Sequence, residues 1–268
     1  MVGSEGTRAR TRRLISAAGV TLVALLVLTA CEPVPLQSRS GTYTTGIITR
    51  DGQDTYQLSD EGAGATAVAP RGNSGSNLRT VALKDGAPRS VDQQSCVSFH
   101  GPINRVAQPG VALRVRSEPD RTRAITWTNN IWYGARWGFN LHLADSSGAN
   151  FGERMNGQGG GFLPDAVLAE GGGYLPLPWR FCGRAMGTTV ELKVWSEPTT
   201  SEPAWGDPSH TLSRQVPESW VYPGRPGWYI GHLSPGERSR LTDGFTSDTA
   251  EPAGPSGSDE AALAGAER

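Results

Sequence analysis

Between residues 42 and 248 the chain is made of short runs in which apolar and polar residues alternate with period two. That period marks strands with one buried face. In "GVALRVRS" it sets Val111, Leu113 and Val115 on one side and Arg114 and Arg116 on the other. "WGFNLHLAD" repeats it with Phe139, Leu141 and Leu143, and "TVELKVWS" places Val190, Leu192 and Val194 inside against Glu191 and Lys193 outside. "GTYTTGIITR" and "DTYQLSD" predict two strands joined at Asp51-Gly52, a favoured hairpin pair. "LRTVALKD", "QSCVSFHG" and "TRAITWTNN" add three more. The run "EGAGATAVAPRGNSGSN" reads as a surface loop, and only "FLPDAVLAEGG" has helical character. One-faced alternation repeated at this spacing predicts an all-β fold, a two-sheet antiparallel sandwich. From Thr246 onward the apolar period stops, which predicts a disordered tail over residues 249–268.

Composition agrees with a turn-rich β protein: 35 Gly and 19 Pro in 268 residues, with 37% hydrophobic and 19% charged residues. Apart from Lys84 and Lys193, every basic side chain is an arginine. The arginines are scattered and form no stripe suited to phosphate backbones, so no nucleic-acid partner is expected.

The N-terminus has a different pattern. Arg8, Arg10, Arg12 and Arg13 precede an uncharged apolar run from Leu14 to Ala30, the layout of an export signal. As a helix of about 1.5 Å per residue the run is roughly 25 Å long, short for a membrane span. Leu28-Thr29-Ala30-Cys31 resembles a bacterial lipobox. The resemblance implies removal of residues 1–30 as a lipoprotein signal peptide, acylation of Cys31 and a tether over residues 31–41. It also implies a sandwich domain at 42–248 facing the extracytoplasmic side of the cell membrane. Two or three acyl chains anchor stably where one does not. The whole chain has net charge −1; residues 1–30 carry +3, which leaves −4 for the rest. The expected membrane contact is therefore the lipid alone.

With Cys31 assigned to lipid, Cys96 and Cys182 remain. An even pair in an exported domain is expected to form a disulfide, two buried free thiols being the alternative. Neither belongs to a C-x-x-C pair, so no zinc or redox-catalytic role is expected.

The C-terminal third holds Lys193-Val194-Trp195, then Glu202-Pro203-Ala204-Trp205, then Gly227-Trp228-Tyr229 and Gly231 before a last strand near Leu241 to Phe245. This order resembles the closing half of concanavalin A-like, laminin G-like jelly-roll domains. The resemblance implies a jelly-roll sandwich over about 42–248 and a function in glycan binding or glycan cleavage.

Cleavage on such a fold commonly uses a Glu-x-Asp-x-(x)-Glu strand, whose alternation lines up nucleophile and acid. No such strand occurs here: Glu118 and Asp120 are separated by Pro119 and read as a turn. No Gly-x-Ser-x-Gly elbow is present, His100, His142, His210 and His232 lack metal-type spacing, and no cofactor or metal is expected. The segment "WTNNIWYGARWGFN" carries the strongest binding chemistry. Aromatic rings stack on the C–H faces of sugars while amides and guanidinium bond hydroxyls, which nominates Trp132, Tyr133, Asn130 and Arg136. Filling the sandwich core is the competing role for each ring. The alternatives to a binding domain are a glycan hydrolase with an unfamiliar site and a structural or protein-interaction lipoprotein of the envelope.

Overall fold

The fold is that of a computed structural model, which describes residues 37–40, 43–49, 55–61, 64–71, 78–103, 107–130, 138–147, 153–154 and 160–242. Among these residues sixteen strands form two wholly antiparallel sheets. One holds β1 (Gln37–Ser40), β2 (Tyr43–Thr49), β5 (Arg79–Lys84), β7 (Gln108–Ser117), β8 (Thr122–Asn130), β9 (Gly138–Asp145), β10 (Glu153–Arg154), β11 (Gly160–Gly161) and β15 (Arg225–Gly231). Its order is β1-β2-β5-β15-β7-β8-β9-β10, with β11 also paired to β9. The other holds β3 (Gln57–Asp60), β4 (Gly64–Val68), β6 (Gln93–Phe99), β12 (Trp179–Met186), β13 (Thr189–Ser196), β14 (Thr211–Gln215) and β16 (Arg238–Thr242). Its order is β14-β13-β12-β6-β16-β4-β3.

The alternating residues do what the pattern requires. Val111, Leu113, Ile125, Trp127, Phe139, Leu141 and Leu143 of the nine-stranded sheet meet Val97, Phe99, Trp179, Phe181, Val190, Leu192 and Val194 of the seven-stranded one. Phe181 lies 6.2 Å from Phe139 and 6.3 Å from Phe99, edge-on to both rings, the arrangement their quadrupoles favour. Trp127, first in the aromatic segment, is fully buried in this core. The helical turn of "FLPDAVLAEGG" is α1 (Pro164–Val167).

Three expectations are corrected. Tyr43–Thr49 and Gln57–Asp60 are not a hairpin: they lie in different sheets, so the chain crosses between layers after β2. The predicted loop at 61–77 contains β4, whose Ala65 and Ala67 are buried between β3 and β16. Small side chains hid a core strand that hydrophobicity alone does not reveal.

The third correction is in β7. A bulge falls between Leu113 and Arg116, with Arg114 in the left-handed region at φ 50°. Past it the faces exchange. Val115 joins Ala112 on the outer side, while Arg116 turns toward the rim of the sandwich, 4.6 Å above the Tyr222 ring. Arg114 is fully buried, donating from Nε, Nη1 and Nη2 to the carbonyls of Val91, Trp220 and Gly187 at 2.8, 2.9 and 2.5 Å. Gly224 packs against the Arg114 main chain where any Cβ would collide.

The nine-stranded sheet also curls. A Cβ on Gly46 of β2 would lie 2.5 Å from Ser117 Oγ and 2.8 Å from Thr122 Oγ1, although β5 and β15 separate β2 from β7 in the sheet. The outer face is therefore concave. A second apolar cluster of Ile48, Val81, Leu83, Ala112, Val115, Ala124, Ala144 and Tyr229 fills part of it.

Candidate functional site

Of the residues nominated for binding, Asn130 is described: it ends β8, faces Gly138 across the ladder and is 4% exposed. Trp132, Tyr133 and Arg136 lie outside the described residues, as does Cys31. Cys96 and Cys182 form the expected disulfide, directly opposite each other on β6 and β12.

Asn130 belongs to a polar patch on the concave face that adjoins the second apolar cluster. Strand alternation turns Ile125 and Trp127 to the core, so Thr126, Thr128 and Asn130 point the other way. Across the ladder Thr126 pairs with His142 and Thr128 with Asn140, two residues half-open to solvent. On the other side Gly110 and Ala112 face Thr128 and Thr126, leaving the floor low. The hydroxyls of Thr126 and Thr128 and the Nδ2 amide of Asn140 are buried without a hydrogen-bond partner. Such groups are costly unless something bonds them. Asn129, the neighbour of Asn130 in the same segment, faces the core opposite Phe139.

The patch has an aromatic rim that sequence reasoning missed. Gly160 and Gly161 of β11 pair with Asn140 and Phe139. Phe162 is the next residue in the chain after β11. Gly161 takes the core side, Leu163 is buried in the core, and Phe162 between them is turned outward and 46% exposed. An exposed phenyl ring thus follows directly on the strand whose Gly160 pairs with Asn140. Its only sequence signal is a large aromatic closing the glycine run "GQGGGF", where a buried core strand would not begin.

The patch side chains Thr126, Thr128, Asn130, Asn140 and Phe162 are neutral. Among the described residues of β8 and β9 the carboxylate is Asp145, at the far end of β9. Arg121 bonds it at 2.6 and 3.0 Å, and Arg123 approaches within 3.4 Å. The hydrogen bond from Arg121, aided by Ser147, pulls its pKa down to about 2. A carboxylate held there is ionised at neutral pH and cannot act as a general acid. Among the described residues no group of three His, Cys, Asp or Glu side chains could hold a metal ion.

No family model and no curated protein matches the chain. Solved structures of similar shape include a legume lectin-like domain from Entamoeba histolytica at 7% identity and TM-score 0.47, covering 78% of this chain and 91% of that one. The carbohydrate recognition domain of Emp47p is 11% identical with TM-score 0.42, over 81% and 94% of the two chains. A protein of unknown function with a galectin-like fold from Bacillus subtilis is 12% identical with TM-score 0.39, over 79% and 94%. At these scores the likeness adds nothing to the strand pairing, on which the fold class rests.

Proposed function

We propose that the chain is an extracytoplasmic lipoprotein, anchored through Cys31, whose sandwich binds a glycan on the concave face at β8, β9 and β11. The observation that carries this reading is the unpartnered Nδ2 of half-exposed Asn140 on β9, above the buried Thr126 and Thr128, together with the exposed Phe162 that follows the β11 strand paired to it. Hydroxyl and amide groups that lack internal partners suit the hydroxyls of a sugar, and a phenyl ring suits its C–H face. Trp132, Tyr133 and Arg136 join Asn130 to Gly138 in the sequence and are proposed to contribute from the same end. Among its described residues the patch offers no pair of carboxylates, which favours binding over hydrolysis.

The test is a glycan array probed with the wild-type domain and with Asn140→Ala. Retention on at least one glycan, weakened in the variant, supports the reading. Absence of retention on every glycan, or equal retention of both proteins, contradicts it. For the anchor, Cys31→Ala is expected to leave the precursor uncut or release the protein from membranes; unchanged processing and fractionation refute that part.

A further inference from the structure

The Lys193-x-Trp195 and Glu202-Pro-x-Trp205 segments play no part in the concave face. They meet on the opposite side of the molecule, around the disulfide. Cys96 and Cys182 sit on the outer face of the seven-stranded sheet, yet they are only 4% and 2% exposed. Trp195 packs against them, and the half-buried Trp205 covers the same cluster. Trp205 reaches that position from residues 197–210, the connection between β13 and β14. Its ring is held under two cations, Arg184 at 4.2 Å and Lys193 Nζ at 4.6 Å. Lys193 also donates to Glu202 Oε1 at 2.7 Å and to the Pro203 carbonyl at 2.9 Å, tying the connection down just ahead of the ring. Arg184 is in turn paired with Glu191. Lys193 is 3% exposed and Glu191 9%, although both lie on an outer strand face, because this connection covers them.

We infer that the β13–β14 connection is a shield that sets how fast thiols reach the Cys96–Cys182 bond. Reduction requires a thiolate to attack one of the two sulfurs in line with the S–S bond, so access controls its rate. In the folded protein the attack must wait for Trp205 to leave its place between Arg184 and Lys193. With dithiothreitol the balance is complete: two electrons pass to the protein disulfide, giving two cysteine thiols, and the dithiol closes to its cyclic disulfide.

The experiment incubates the folded wild-type chain and its variants with dithiothreitol, quenches with iodoacetamide and counts alkylation at Cys96 and Cys182 by peptide mass. Trp205→Ala is expected to speed native-state reduction by about tenfold, the factor for removing a local opening step. Trp205→Phe, which keeps a ring in place, is expected to stay near the wild-type rate. Glu202→Gln loosens the tether at an exposed carboxylate without threatening the fold, and is expected to speed reduction at least about twofold. Equal rates for wild type and Trp205→Ala overturn the inference. So does an acceleration in Trp205→Ala that equals its increase in global unfolding rate, measured on the same sample, since a local shield acts without global unfolding.

Discussion

Replacing Arg114 with alanine removes the donors that hold three separate loops together. The Val91, Trp220 and Gly187 carbonyls each lose a bond of 2.5 to 2.9 Å; that of Trp220 is buried, whereas Val91 is half-buried and Gly187 exposed, so water can replace the donor there. A buried acceptor left unpaired costs about 1–3 kcal/mol. Removing the guanidinium also relieves its own desolvation, which has already pushed the Arg114 pKa down. The balance is a loss of about 1–3 kcal/mol, or roughly 2–12 °C in melting temperature for a domain of about 200 residues. The backbone gives a sharper test. At φ 50° an alanine carries about 1 kcal/mol of strain that glycine does not. Arg114→Gly is therefore expected to be more stable than Arg114→Ala by about 1 kcal/mol, the reverse of the order in an ordinary strand. Urea unfolding followed by tryptophan fluorescence measures both. A loss under about 1 kcal/mol for Arg114→Ala, or Arg114→Ala proving the more stable variant, refutes the reasoning.

Gly224→Ala is expected to destabilise by more than about 2 kcal/mol in the same assay, because its Cβ meets the Arg114 main chain with no flexible side chain to yield. Asp145 gives a pH signature. Its pKa is about 2 when folded against the ordinary aspartate value of 3.8, so its contribution is fully present above about pH 4 and is lost as pH falls through about 2. Asp145→Asn is expected to cost about 1 kcal/mol at pH 7, given that Arg121 is half-exposed, and to match wild type at about pH 2. A constant difference across that range contradicts the ion-pair account.

Much of the fold was legible because one-faced alternation is a local property. "TVELKVWS" became β13 with Val190, Leu192 and Val194 in the core. "GVALRVRS" followed the pattern only to Leu113, since nothing about an arginine announces a left-handed residue. The cause of the bulge lies in Gly224 and the carbonyls of Val91, Trp220 and Gly187, all distant in sequence. The separation of β2 from β3 was hidden for the same reason: the Asp51-Gly52 signal describes a turn, not the sheet each strand enters. At the candidate site, Asn130 was nominated from its neighbours in the sequence. Phe162 was not, because its relation to β9 depends on β11 pairing with that strand across about twenty residues. Glu191 and Lys193 were placed on the correct face but are covered, since the path of residues 197–210 cannot be read from β13 itself.

The most direct test of the glycan-binding account compares the affinity of wild type, Phe162→Ala and Tyr174→Ala for a glycan that the wild-type domain retains. Both aromatics are similarly exposed, 46% and 49%, so both variants should fold, but only Phe162 directly follows β11, the strand paired to Asn140. Loss of one stacking ring is worth about 1.4 kcal/mol or a little more. The account predicts at least about a tenfold rise in Kd for Phe162→Ala and no change for Tyr174→Ala. Unchanged affinity in Phe162→Ala would contradict it.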